Sequence, residues 1–346
     1  MLYQTKNPHG GDVYDGEIKL DFSANTNPFG TPKGILDAIC SVLPELHRYP
    51  DPYCRKLIAS IADYEGVPQS YILCGNGAAD LIYAYCEATH PALAVELAPT
   101  FSEYALGLQR VGCDVLRYFL SQENAFELDA GFLEFLHQTK PEAVFLCSPN
   151  NPTGQIIAPS LLRKILQFCN QRGIRLFVDE CFLDLSDDGE SMKPLLAENK
   201  NLFILKAFTK SYGMAGIRLG YCMCSDSELL EQMSQSTQPW NVSTVAQAAG
   251  IAALQEHDFL QKTKEVITTE RQWLADALQD CGFQVYPSSA NYLLFYADVD
   301  LHMKLREKRI AIRNCDNYMG LGPGWYRTAV RLHEENVMLI QAIKEV

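Results

Sequence analysis

Apolar positions along this chain of 346 residues fall into three successive regimes. Up to about residue 30 neither the helical nor the strand period survives. Pro8-His9-Gly10-Gly11 and then Leu20-Asp-Phe-Ser-Ala-Asn-Thr-Asn-Pro-Phe-Gly30 predict an extended arm with turns. Two helices with ordinary start signals follow: Thr31-Pro32 opens one running to about Leu43, and Asp51-Pro52 opens another running to about Tyr64, each pairing an N-cap residue with a proline in the first turn. Between them, Tyr49 of His47-Arg48-Tyr49-Pro50-Asp51 precedes a proline and is expected to be extended.

From Tyr71 the pattern changes to short apolar runs separated by amphipathic stretches. These are YILC (71–74), a helix from Gly77, ALAVEL (92–97), a helix near 102–111, VLRYF (115–119), AVFLC (143–147), a helix near 159–171, RLFVD (175–179), LFILK (202–206) and GYCMC (220–224). Seven such runs, rich in Val, Ile, Leu and Phe, predict an α/β fold with a mainly parallel seven-stranded sheet flanked by helices. After a loop through Gln238-Pro239-Trp240, helices over about 242–255 and 258–281 lead into FQVY (283–286), YLLFY (292–296), a helix near 300–308, IAIR (310–313), YRTAVR (326–331) and a last helix from about Glu334. This third regime predicts a smaller α+β lobe.

Composition narrows the function classes. With 47% hydrophobic and 21% charged residues the chain is an ordinary globular one, and its net charge of −13 argues against a nucleic-acid binder, which needs a basic stripe. A few buried arginines can still make one cleft positive. The 12 cysteines are scattered singly and form no CxxC pair, so neither a metal site nor a disulfide framework is expected. The opening MLYQTKNPHGG has no apolar run after its charge, and no stretch reaches the roughly 20 apolar residues of a membrane span. A cytoplasmic, reducing location is the expectation.

Candidate chemistry centres on Lys206-Ala-Phe-Thr-Lys-Ser-Tyr-Gly-Met-Ala-Gly-Ile-Arg-Leu-Gly-Tyr221. Lys210 has small, hydroxylic or apolar neighbours, which suits an amine held near neutrality as nucleophile or base, and Arg218 follows beyond two glycines. A surface lysine on a Gly-rich turn is the plainer alternative. Three further segments sit at strand ends, where open α/β sheets bind ligands. Cys74-Gly-Asn-Gly-Ala-Ala-Asp80 could offer the backbone of Gly77 and Ala78 to a phosphate, or be a plain strand-to-helix turn. Ser148-Pro-Asn-Asn-Pro-Thr-Gly154 could aim the Asn151 amide into a cleft, or cap the next helix. Asp179 in Val178-Asp179-Glu180 would need a cationic partner if buried; a helix cap or an ion pair would also serve. Phe101 after Pro99-Thr100 could stack on a flat ring, or be core.

Taken together, Lys210 as a Schiff-base amine, Asp179 on a ring nitrogen, Asn151 on a ring hydroxyl, and Gly77, Ala78, Thr209 and Arg218 on a phosphate match pyridoxal 5′-phosphate. Over essentially its whole length the sequence resembles fold-type I pyridoxal-phosphate enzymes of the aspartate aminotransferase superfamily, with NNPTG, the VDE strand end and the lysine segment as the specific marks. The resemblance implies a homodimer, an arm with the first helix (1–40) joining a small C-terminal domain (241–346), a large cofactor domain (41–240), and Tyr49 reaching the neighbouring subunit's cofactor phosphate. Histidinol-phosphate aminotransferases share the arm, RYPD and the GxxGxRLGY tail. Threonine-phosphate decarboxylases of cobalamin synthesis are more similar in the His9-Gly-Gly arm, the Asp21 to Pro28 segment, Leu321-Gly-Pro-Gly and Tyr326-Arg-Thr-Ala-Val-Arg331. Phe182 stands where many aminotransferases have a tyrosine, and Ala207 where relatives often have a phosphate-binding serine.

The expected reaction is decarboxylation of L-threonine O-3-phosphate to 1-amino-2-propanol phosphate, with transamination to 2-oxoglutarate as the alternative. A carboxylate and a phosphate entering a protein of charge −13 need local cations. Arg327 and Arg331 are four apart in one apolar run, which predicts one face of a strand. The resemblance gives Arg327 to the substrate carboxylate, Arg313, His9 and Ser23 to its phosphate, and adds Asn25. Arg331 is either a substrate group or paired with Glu334 or Glu335.

Overall fold

The computed structural model describes residues 9–14 and 16–346; residues 1–8 of the expected arm, and Asp15, lie outside the described residues. In chain order the elements are β1 (Leu20–Asp21), α1 (Lys33–Val42), α2 (Arg55–Glu65), β2 (Ile72–Gly75), α3 (Ala78–Thr89), β3 (Leu93–Ala98), α4 (Glu103–Arg110), β4 (Asp114–Phe119), α5 (Gly131–Thr139), β5 (Ala143–Cys147), α6 (Pro159–Arg172), β6 (Arg175–Asp179), β7 (Leu202–Ala207) and α7 (Phe208–Ser211). They continue with β8 (Gly220–Cys224), α8 (Ser227–Ser236), α9 (Thr244–Ala253), α10 (Phe259–Asp280), β9 (Gln284–Val285), β10 (Tyr292–Tyr296), α11 (Leu301–Glu307), β11 (Ile310–Ala311), β12 (Arg313–Asn314), β13 (Trp325–Ala329) and α12 (His333–Lys344).

The seven apolar runs form one sheet in the order β2-β8-β7-β6-β5-β3-β4. Six of the seven strands run in one direction and β8 alone is reversed, antiparallel to its neighbours β2 and β7. Alternation along the strands buries both faces, except on the edge strand β4, where Leu116 and Phe119 are exposed. On one face Phe145, Phe177 and Phe203 stand in register and stack at 4.7 and 4.8 Å, with Tyr85 of α3 and Tyr104 of α4 laid against them. On the other, Val144, Leu146, Leu176, Val178 and Ile204 face α6 and the helices near the chain start. Burial on both sides is why these runs are continuously apolar.

A second sheet, β12-β13-β10-β9, carries the C-terminal lobe. The arm reaches it through β1, parallel to β11, and through Phe22, which is fully buried among Leu293, Phe295 and Leu339. Helix α1 packs on α9, which also meets α2.

Three details depart from the sequence expectation. Helix α2 begins at Arg55 because Asp51 accepts the backbone N–H groups of Tyr53 and Arg55, closing a turn that ends with Cys54 in the left-handed region. IAIR splits into β11 and β12, which join different sheets. The run 326–331 stops being a strand at Ala329, so Arg331 does not share a strand face with Arg327. Among the described residues no helix is long and apolar enough to cross a membrane, and no group of His, Cys, Asp and Glu side chains is placed to hold a metal.

Candidate active site

The carboxyl ends of β2, β3, β5, β6 and β7, and the start of antiparallel β8, all lie along one edge of the large sheet. There a cavity of about 210 Å³ is lined by Asn151, Asp179, Lys210, Arg218, Arg313 and Arg327, with His9, Ser23, Asn25, Ala78, Phe101 and Thr209 in the same wall. Segments far apart in sequence therefore converge because the topology brings their strand ends together.

Lys210 sits in the single turn of α7 directly after β7. Its backbone carbonyl accepts from Asn27 N at 3.0 Å, and the Asn27 side chain donates to Ser211 O at 2.8 Å, so the arm clamps this turn. Two lysines four residues apart behave oppositely. Burial works against the charge of Lys206, but Asp184 at 2.7 Å and Glu65 at 3.3 Å, with Glu180 nearby, hold its pKa well above the usual lysine range. Among the described residues no hydrogen bond or ion pair engages the Lys210 ammonium. Burial, then the charges of Arg327 and Arg218, bring its pKa down to about 8. A substantial fraction is therefore neutral and nucleophilic in mildly alkaline solution.

Asp179 is buried at the end of β6. Tyr104 Oη donates to its Oδ2 at 2.6 Å and Cys181 N to its Oδ1 at 2.8 Å. Burial nevertheless raises its pKa, against those two hydrogen bonds and Lys210. A cation at this spot, such as a protonated ring nitrogen, would restore the carboxylate. Asn151 uses its Oδ1 twice, accepting from Arg327 Nη1 and from Tyr318 Oη at 3.2 Å. With its oxygen so engaged, its amide N–H₂ is the group left to donate into the cavity.

A phosphate cradle lies at the start of α3, where no side chain caps the helix. Ala78 and Ala79 line the cavity there, while Gly77 stands behind Arg218: a Cβ on Gly77, which has φ +83°, would come within 2.6 Å of Arg218 Nη2. Arg218 itself is held at φ +61°, a conformation uncommon for a non-glycine residue. Ala207 lines the cavity without a hydroxyl, leaving Thr209 as the neighbouring one. Phe182 is beside Lys210, with Lys210 Nζ 6.0 Å from its ring centre. These residues fit pyridoxal phosphate at its aldehyde, ring nitrogen, ring hydroxyl and phosphate.

The other wall carries the arginines. Arg313 and Arg327 are direct cross-strand partners on β12 and β13, so two guanidinium groups share one face. Like charges directly opposite destabilise a sheet unless an anion sits between them. Arg327 Nη2 donates to Ser23 O at 2.8 Å, while its Nε is buried with no partner among the described residues. Arg313 donates to Asn317 Oδ1 at 2.8 Å and to Asn314 O, with its guanidinium 5.1 Å from the Tyr318 ring centre. Asn25 also lines the cavity, and its buried Oδ1 has no partner among the described residues. Ser23 lines the cavity, but both of its donors, N–H and Oγ–H, go to Asp21 Oδ1 at 2.8 and 2.6 Å. Its side chain can only accept there, which suits a phosphate poorly. Arg331 lies outside the cavity wall and pairs with Glu335 at 3.2 Å. Tyr49 also lies outside it, 79% exposed and stacked on Trp240 at 4.5 Å.

Sequence reasoning missed Tyr104, Tyr318, Asn27 and Ala79. The two tyrosines act on Asp179 and Asn151 across 75 and 167 residues, and nothing local marks them.

The profile of the family described as aminotransferase class I and II matches residues 17–343. The chain is 35% identical to a threonine-phosphate decarboxylase of Salmonella typhimurium, covering 98% of this chain and 96% of that protein. It is 31% identical to a histidinol-phosphate aminotransferase of Archaeoglobus fulgidus, covering 97% and 95%. Among solved structures, a histidinol-phosphate aminotransferase from Clostridium acetobutylicum superposes with a TM-score of 0.87 at 27% identity, covering 94% of this chain and 98% of that one.

Proposed function

The chain belongs to the class I and II aminotransferase family, and from that premise we propose that it is a pyridoxal 5′-phosphate enzyme that decarboxylates L-threonine O-3-phosphate to 1-amino-2-propanol phosphate. The observation that carries the substrate is the cross-strand pair Arg313 and Arg327 beside an unpaired buried lysine. Two forks on one face suit a small amino acid with an anion at each end.

When bound, pyridoxal 5′-phosphate supplies the electron sink for the bond at the substrate Cα that stands perpendicular to its ring. Arg218, Thr209 and the α3 amides hold its phosphate. Asp179, kept in place by Tyr104 and Cys181 N, holds the proton on its ring nitrogen, and Asn151 donates to its ring hydroxyl. Arg327 grips the substrate carboxylate, the group that leaves as CO₂ when the Cα–carboxyl bond breaks, and Lys210 in its ammonium form gives a proton to Cα and is left as the neutral amine. Phe182 lends no hydroxyl to this side, in keeping with a chemistry other than the common transamination.

Arg313→Ala should raise KM for L-threonine O-3-phosphate by about 30-fold or more, the equivalent of roughly 2–5 kcal/mol for removing one partner of a buried charge pair, and raise KM for unphosphorylated L-threonine far less. Arg327→Ala should weaken both alike. Equal losses for both substrates in Arg313→Ala would remove phosphate recognition from this reading.

A homodimer completes the site in this reading. Tyr49 and Tyr53 are exposed at 79% and 66% in a segment that does not line the chain's own cavity, which supports contact with a second copy. Sedimentation at micromolar concentration should give a dimer; an active monomer would refute it. The twelve unpaired cysteines fit a reducing, cytoplasmic setting.

A further inference from the structure

Each of the two guanidinium groups facing the cavity lies against a tyrosine. That of Arg313 is 5.1 Å from the centre of the Tyr318 ring and that of Arg327 is 5.4 Å from the centre of the Tyr292 ring, both within reach of cation–π attraction. Both tyrosines are buried, and both give their hydroxyl to the loop after β5: Tyr292 Oη donates to Asn150 O at 2.9 Å, and Tyr318 Oη to Asn151 Oδ1 at 3.2 Å. They differ in what they hold. Tyr292 bonds to backbone and is braced by the Phe182 ring, nearly perpendicular to its own at 5.0 Å. Tyr318 lines the cavity and bonds to a side chain of the site, at the same oxygen that accepts from Arg327 Nη1. Tyr318 stands on the connection between β12 and β13, where its N–H donates to Cys315 O at 3.1 Å and its carbonyl accepts from Leu321 N at 3.0 Å. The turn therefore sets the place of the ring without help from the hydroxyl.

We propose that Tyr318 is a positioning residue that serves both anion-binding ends of the cavity through different parts of its side chain: the hydroxyl holds Asn151, and through the shared oxygen Arg327, for the substrate carboxylate, while the ring seats Arg313 for the substrate phosphate. An amide oxygen has two lone pairs, and Tyr318 and Arg327 take both, so Asn151 cannot turn without losing two donors. Removing the hydroxyl leaves Arg327 as the one donor and loosens the two side chains together. At the other end, Arg313 gives N–H groups to Asn314 O and Asn317 Oδ1. Such bonds run along the edge of the planar fork, and the Tyr318 ring covers its face. Arg313 and Arg327 are cross-strand partners of like charge, so a support common to both keeps their spacing, and with it the distance between the two anions the cavity accepts.

This inference rests on the proposed substrate, and the test separates the two. Calorimetry on the cofactor-loaded protein gives affinities for 1-amino-2-propanol, for its phosphate ester and for L-threonine, which differs from the first by the carboxylate alone. Two ratios follow for each protein, a phosphate preference and a carboxylate preference, and a general loosening of the fold cancels from both. Tyr318→Phe, which keeps the ring, should lower the carboxylate preference by about twofold to tenfold, the range for one lost hydrogen bond, and leave the phosphate preference unchanged. Tyr318→Leu should lower the carboxylate preference to the same extent and the phosphate preference by about three- to thirtyfold, the range for a lost cation–π contact. Should Tyr318→Leu fail to fold, the two ratios in Tyr318→Phe still decide the proposal. A wild-type protein that binds both amines alike removes the proposed substrate and this inference with it. A wild-type phosphate preference that Tyr318→Leu keeps in full, or a Tyr318→Phe protein that loses the phosphate preference or keeps the carboxylate preference, overturns this inference alone.

Discussion

Lys210→Ala should reduce turnover of L-threonine O-3-phosphate by about 10⁴-fold or more, since it removes both the covalent anchor and the group that returns the proton. Arg218 and the N-terminus of α3 stay in place, so the variant should still bind pyridoxal 5′-phosphate. Borohydride reduction followed by denaturation distinguishes the two proteins: the wild type should retain the cofactor covalently and the variant should release it. Substantial residual turnover would sink the assignment of Lys210. The pH dependence adds a second check with a definite sign. The neutral amine is the nucleophile, and burial with the charges of Arg327 and Arg218 places its pKa at about 8. Capture of the cofactor by the unloaded protein should therefore accelerate as pH rises through about 8 and level off above it. Acceleration centred near the ordinary lysine value of about 10.4 would contradict the geometry.

Asp179→Asn carries the second large effect. The variant keeps shape: its one amide oxygen can still accept from Cys181 N, and its N–H₂ can donate to the Tyr104 hydroxyl once that rotates, so folding should survive. What is lost is the anion that keeps the ring nitrogen protonated. Removing one member of a buried ion pair typically costs about 3–5 kcal/mol, which corresponds to a fall in kcat of about 10²–10⁴-fold. The absorbance spectrum of the bound cofactor should change in parallel. An unchanged spectrum with a wild-type rate would show that Asp179 does not pair with the ring.

What was legible in the sequence divides by the range of the signal. The strands of the large sheet announce themselves as apolar runs because all but the edge strand β4 are buried on both faces, and the segments around Gly77, Asn151, Asp179 and Lys210 stand at strand ends where the topology gathers them. Helices α5 and α8 are not announced, since only Phe132 and Leu136 in the first, and Leu229, Leu230 and Met233 in the second, are buried. The supports of the site were hidden for another reason. Tyr104 and Tyr318 look like any aromatic until the fold sets their hydroxyls against Asp179 and Asn151. For Arg331 only the strand face was misread: its spacing from Arg327 suits a strand, yet pairing ends at Ala329, and Asn336 takes its backbone N–H while Glu335, one of the two ion-pair partners expected, takes its guanidinium.

Pocket residues are compatible with more than one fate of the Cα bonds, and a histidinol-phosphate aminotransferase stands among the chain's relatives. Product analysis decides between them. The cofactor-loaded protein, incubated with L-threonine O-3-phosphate and no keto acid, should release one CO₂ for each 1-amino-2-propanol phosphate formed, unaffected by added 2-oxoglutarate. Turnover that depends on 2-oxoglutarate and yields glutamate without CO₂ would contradict the account.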